Sequence, residues 1–169
     1  HNLPESIPVR FGLAIRWTDV RAFPTAEVMT FKPFDFAFDR IQETTIDIGT
    51  PLAAVAESPN QQWQFCITPH YWGWVRTADI GFGPRDLITP WPQIEPFVVT
   101  TASRGLMFIA DTIEPVTPQM GMRLPWIEGQ QVSVPVRTRH GLSFANGSFA
   151  PNDFSLGYLP CNLRSIFTQ

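Results

Sequence analysis

The 169 residues are enough for one ordinary domain or two small ones, and 44% hydrophobic against 16% charged residues exclude a disordered chain. A net charge of −3 with a single lysine, Lys32, provides no basic stripe for a phosphate backbone and argues against nucleic acid as a partner. No apolar run approaches the roughly 20 residues a membrane-crossing helix needs, and 17 prolines with 11 glycines, spread along the chain, interrupt it too often for long helices.

The expected elements are short and extended. Val9 to Thr25 mixes Val, Phe, Ile and Trp with arginines and stops at Phe23-Pro24-Thr25. Ala26 to Arg40 carries Phe31, Phe34, Phe36 and Phe38. The last three alternate, which suits an extended strand or ordered loop, and Pro33 argues against a helix. Thr44 to Ala56 reads as strand, broken by a turn at Gly49-Thr50-Pro51. Ser58-Pro59-Asn60 signals a turn, Trp63 to Thr68 a strand, Pro69-His70-Tyr71 a turn, and Gly73-Trp74-Val75 a further strand. Pro84, Pro90, Pro92 and Pro96 then mark a linker, which places a domain boundary near Trp91. Beyond it, Phe97 to Thr101, Leu106 to Ala110, Met120 to Pro125 and Gln131 to Val136 repeat the strand rhythm. Leu163, Ile166 and Phe167 fall at helical spacing and predict a short helical start at the C-terminus.

The run from Gly49 to Val55, then Ser58, Trp63 and Gly73-Trp74-Val75, resembles a bacterial Src-homology-3-like (SH3b) domain. Val20-Arg21-Ala22-Phe23-Pro24-Thr25 followed by Phe38-Asp39-Arg40-Ile41-Gln42 resembles the first such barrel of murein endopeptidases of the NlpC type. Met120 to Pro125, Val134-Pro135 and Gly157-Tyr158-Leu159-Pro160 resemble the second. The resemblance implies an all-β chain of two small SH3-like barrels in tandem, with an extension over 1–16, a first barrel over 17–90 and a second over 91–169. It further implies a Cys-His peptidase domain beyond the second barrel. No Asp-Cys-Ser motif of such a domain occurs in these residues, so the chain is expected to lack the catalytic domain.

Candidate chemistry is sparse. Two cysteines, Cys66 and Cys161, make neither a disulfide framework nor a zinc site, and His1, His70 and His140 show no paired ligand spacing; no metal or cofactor is expected. Cys161, with His140 the nearest base, precedes the start of the family's catalytic domain and reads as a structural or unused thiol. Cys66 reads as a small core residue, and a bridge between the two is not expected. Asp35, Asp39, Glu43 and Asp47 read as solvated charge rather than a carboxylate pair. Trp63 and Trp74 are expected in the core, on the reasoning that a small barrel must be filled by a few large aromatics. Tyr71 and Trp72 are expected at the surface, with Trp72 pointing away from the core that Trp74 fills, and are the candidate binding residues.

The expected function is therefore a non-catalytic module that targets or positions peptidoglycan for a cell-wall cysteine peptidase. Its partners would be a peptidoglycan peptide or glycan and the missing catalytic domain. The alternative is a stand-alone protein–protein interaction module without murein contact. The expected location is the cell envelope, in the periplasm or as an outer-membrane lipoprotein, or outside the cell. The chain opens at His1 rather than Met, as expected if a signal or lipid-attachment segment had been removed.

Overall fold

A computed structural model describes residues 6–31, 38–103, 105–112 and 115–157. Strands hold 48% of the chain and helices 7%, so the all-β expectation stands. The strands form two antiparallel sheets with no ladder between them. The first contains β1 (Arg10–Ala14), β2 (Thr18–Arg21), β3 (Gln42–Ile46), β4 (Pro51–Glu57), β5 (Trp63–Ile67), β6 (Trp72–Arg76) and β7 (Ile80–Gly83), in the order β3-β2-β6-β5-β4-β1-β7. The second contains β8 (Phe97–Thr100), β9 (Met107–Ile109), β10 (Arg123–Glu128), β11 (Gln131–Thr138), β12 (Gly141–Phe149) and β13 (Phe154–Leu156), in the order β13-β8-β10-β11-β12-β9. β1 lies in the stretch set apart as an extension, yet it pairs with both β4 and β7.

Neither sheet closes into a barrel, which corrects the expectation of two closed barrels. β7 ends the first sheet next to β1 and is met by β11 and β12 of the second. A sheet edge covered by another sheet is protected without ladder closure. The one α-helix among the described residues, α1 (Arg85–Ile88), lies between the sheets rather than at the C-terminus; the predicted C-terminal helix falls outside the described residues, as does the Phe34–Phe36 part of the alternating run.

The inner face of the first sheet is built from aliphatic residues and one cysteine, without an aromatic ring. Ala14, Val20, Ile46, Leu52, Ala54, Cys66, Val75 and Ile80 form one buried cluster. Trp74 is not among them. On β6, Gly73 and Val75 point inward, and Trp72, Trp74 and Arg76 share the outer face, because side chains two apart on a strand lie on the same side. The reading that Trp74 fills the core and turns Trp72 outward is therefore wrong, although Trp72 is exposed. Gly73 marks the reason the core is thin: a Cβ there would stand 2.7 Å from Val20 Cγ1 and 2.8 Å from the Arg21 carbonyl oxygen, so β2 crosses β6 too closely for a side chain.

The second sheet shares its core with its neighbours. Leu13 and Ile48 from the first half, Ile88 and Trp91 from the connection, and Val98, Met107, Leu124, Val132 and Val134 from the second half make one continuous cluster. The proline-rich connection is thus no free tether. Its α1 and the 3-10 turn Trp91–Gln93 insert Ile88 and Trp91 between the sheets, and Trp91 stacks on Phe144 at 4.7 Å and 13°. Gly49, at φ +84, forms the expected turn and also brings its backbone against the Trp91 indole, 2.8 Å from where a Cβ would sit.

Candidate functional site

The outer face of β5 and β6 carries the sequence's candidate residues. A four-residue turn joins the strands. Thr68 clasps it, its backbone N–H and hydroxyl both donating to the Tyr71 carbonyl (2.8 and 2.7 Å) while its hydroxyl oxygen accepts from the Tyr71 N–H at 3.1 Å. The register then sets Ile67 opposite Trp72, Phe65 opposite Trp74 and Trp63 opposite Arg76. Tyr71 and Trp72 stack at 5.8 Å and 18°. Trp72 is 65% exposed and Ile67 51%, so the end of the hairpin is a bare apolar patch. The Tyr71 hydroxyl donates to Glu43 Oε2 at 2.6 Å. That bond to a carboxylate, helped by desolvation and by the Glu43 charge, holds the phenol above its usual value.

Along the strands the face becomes more enclosed. Trp74 is half-buried and meets Phe65 edge-on at 5.5 Å and 75°. Trp63 is buried, as expected, but on this outer face, with the Arg76 guanidinium over its ring at 5.2 Å. There the face runs into a cleft of about 540 Å³, lined by Pro24 to Ala26, Asn60 to Trp63, Arg76 to Ala78, and Arg137 of β11.

Of the three described carboxylates, Asp39 and Glu43 border one shallow cleft of about 310 Å³, each engaged with its own partner, and Asp47 lies elsewhere. Asp39 is a structural clasp: its Oδ2 pairs with Arg21 Nη2 at 2.7 Å, and its Oδ1 accepts from the Met29 and Ile41 amides, each at 3.1 Å. Burial by itself would raise the Asp39 pKa, but the two amides and the guanidinium outweigh it and hold the carboxyl below its usual value. Glu43 serves Tyr71. Asp47 lies in a different cleft, of about 330 Å³, with Gly49, Trp91 and Arg123, and burial raises its pKa. Asp35 and Cys161 fall outside the described residues. Cys66 is a free, fully buried thiol pushed up to about 12 by burial, in keeping with a core role. His140 is exposed and accepts from Arg139 Nε at 2.9 Å.

Residues 30–76, from the loop before β3 to the end of β6, match the family model described as an SH3 domain of the SH3b1 type. The match includes Tyr71, Trp72 and the outer-face residues of β5 and β6, but not β1, β2 or β7 of the same sheet. Two solved structures share the fold over most of the chain. One is described as a novel NlpC/P60 endopeptidase from Photobacterium damselae subsp. piscicida, with 22% identity and a TM-score of 0.69 over 87% of this chain and 33% of that one. The other is an NlpC/P60 family protein from Bacillus cereus ATCC 10987, with 14% identity and a TM-score of 0.61 over 89% of this chain and 57% of that one. At these identities the likeness is one of fold, and the chain spans only part of either structure. No curated protein matches it.

Tyr71 and Trp72 lie at the surface, as expected from the sequence, whereas the Arg21–Asp39 pair and the shared cleft of Arg76 and Arg137 were not anticipated. Arg21 and Asp39 both lie inside the two stretches that carry the family resemblance, so a signal was present there. Arg76 and Arg137 come from different sheets, and no local pattern joins them.

Proposed function

We propose that this chain is a non-catalytic SH3b module that binds peptidoglycan at the cell envelope or outside the cell and positions it for a cysteine peptidase domain. The observation that carries the reading is the stacked, exposed Tyr71–Trp72 pair beside Ile67, on the hairpin of an SH3b1-type domain. Flat exposed rings stack on sugar faces and on peptide edges, and a contiguous apolar patch bordered by polar groups is the usual form of a contact surface. The two NlpC/P60 structures of the same fold support a parent peptidase that cleaves murein stem peptides. In this reading residues 17–90 and 91–169 are two SH3-like units, with β1 completing the first although it precedes residue 17.

The test is retention on purified murein sacculi. The chain should sediment with sacculi, and the Tyr71→Ser/Trp72→Ser double variant should lose most of that retention while keeping its fold. Equal retention of the two proteins would remove the face from the binding site. Absence of retention on sacculi by the parent chain itself would favour the stand-alone protein–protein alternative instead.

A further inference from the structure

The outer face of β5 and β6 leads somewhere. From Trp72 to Arg76 the strand covers four residue steps, about 13 Å at the usual strand rise. Over that length the surface passes from the exposed stack of Tyr71 and Trp72, across Trp74 and Phe65, to Trp63 and Arg76 at the cleft of about 540 Å³. Such a volume falls within the range of small-ligand sites.

The cleft's charge has one sign. Among the described residues, Arg76 and Arg137 are its only ionisable lining residues, and no carboxylate lines it. Among the described residues neither arginine takes part in an ion pair, whereas Arg10, Arg16 and Arg21 all do. Both are exposed. Arg137 is fixed across the sheet boundary by one bond, Nη1 to the Thr77 carbonyl oxygen at 2.9 Å, which leaves its other donors unused. Arg76 is braced by the Trp63 ring. The whole chain is net negative at −3, so two unpaired guanidiniums facing one cleft are a local feature and not part of a basic surface. Asn60, Gln61 and Gln62 add neutral amide groups to the same wall.

We propose that this cleft is the end subsite for the carboxylate of a short peptide lying along the outer face of β5 and β6, clamped between Arg76 of the first sheet and Arg137 of the second. The guanidinium fork matches a carboxylate with paired hydrogen bonds, the amides suit a peptide backbone, and the aromatic track takes the apolar part. The proposal rests on the reading that this face binds murein and specifies which part of a murein-like ligand the cleft holds. Because the two arginines belong to different sheets, the subsite exists only while Trp91 and Arg137 hold the sheets together.

The experiment titrates the chain with acetyl-Ala-Glu-Ala, with the same peptide fully amidated, and with inorganic phosphate, following the Trp63 indole N–H by NMR. The acidic peptide should shift that signal saturably, and the amidated peptide should bind at least about fivefold more weakly, the scale of exposed charge pairs. Arg76→Gln/Arg137→Gln should lose this preference, and Arg76→Lys/Arg137→Lys should keep part of it; circular dichroism checks that both variants remain folded. Equal affinity for the two peptides, an unchanged preference in the glutamine variant, or an equal response to phosphate would each overturn the assignment. So would the absence of saturation by about 10 mM, beyond the weakest useful affinity. The two readings fail separately. The acid-over-amide preference should persist in Tyr71→Ser/Trp72→Ser, whereas sacculus retention tests the aromatic pair alone.

Discussion

The two sheets use their aromatic residues in opposite ways. In the second, Phe144, Phe149 and Phe154 sit in or against the core, where Phe144 stacks on Trp91 of the connection and Phe149 meets Phe154 at a tilt of 47°. In the first, the buried cluster contains no aromatic residue, and only Phe82 packs against it. The rings of Trp63, Phe65, Trp72 and Trp74 line the other side of the sheet. An inner face as closely filled as that beside Gly73 holds Val, Ile, Leu, Cys and Ala but no indole. The aromatic content of such a sheet therefore goes outward, where it is available for contact. A ring in the core adds stability, whereas an exposed outer ring such as Trp72 is what the proposed contact would use.

Mutations can break or sharpen that contrast. Trp91→Ala should have the largest effect, about 4 kcal/mol, since the indole is 5% exposed and fills the space between both sheets. It should also turn one urea transition into two if Trp91 is what couples the halves, which intrinsic fluorescence and circular dichroism would report as separate midpoints. Asp39→Asn should cost about 3 kcal/mol, at the low end for a broken buried pair, because it leaves the Arg21 guanidinium, 5% exposed, with only the longer Asp19 contact at 3.8 Å as a carboxylate partner. This effect has a pH signature. The Asp39 carboxyl is held below its usual value in the folded chain, so its stabilisation is complete above the ordinary carboxylate range and is lost as pH falls through the folded value. The variant should therefore show a flatter loss of stability on acidification than the parent. Gly73→Ala should cost about 2 kcal/mol from overpacking against Val20 and the Arg21 carbonyl, measurable by thermal melting. Replacing Tyr71 and Trp72 by serine should change stability by no more than about 0.5 kcal/mol. A large loss there would make the outer rings structural and erase the distinction between the sheets.

Much of the strand order was legible. Gly49-Thr50-Pro51 and Ser58-Pro59-Asn60 do turn the chain, and the break between β3 and β4 falls where proline and glycine place it. Which face is inside was not legible, because alternation identifies two faces without saying which is buried. In Trp63-Gln64-Phe65-Cys66-Ile67 the apolar residues dominate one face, yet the inward face is Gln64 and Cys66. Gln64, 2% exposed, is accommodated by its amide donating to Glu57 Oε1 at 2.6 Å, a partner supplied by the neighbouring strand and invisible in its own. The same holds for the cleft: Arg76 and Arg137 meet only because Trp91 and the shared core set one sheet against the other. The proline count announced an interruption between the sheets, but not that the interruption would be buried.

The inner face of the first sheet has one further consequence, for oxidation. Cys66 belongs to that face with a thiol pushed up to about 12 by burial, so it stays protonated at neutral pH. Oxidants and alkylating reagents act on the thiolate, and the sulfur is fully covered by the strands around it. Modification of Cys66 must therefore wait for β5 to separate from its neighbours, so that in a Cys161→Ser background the rate of Cys66 labelling is a clock for the opening of the first sheet.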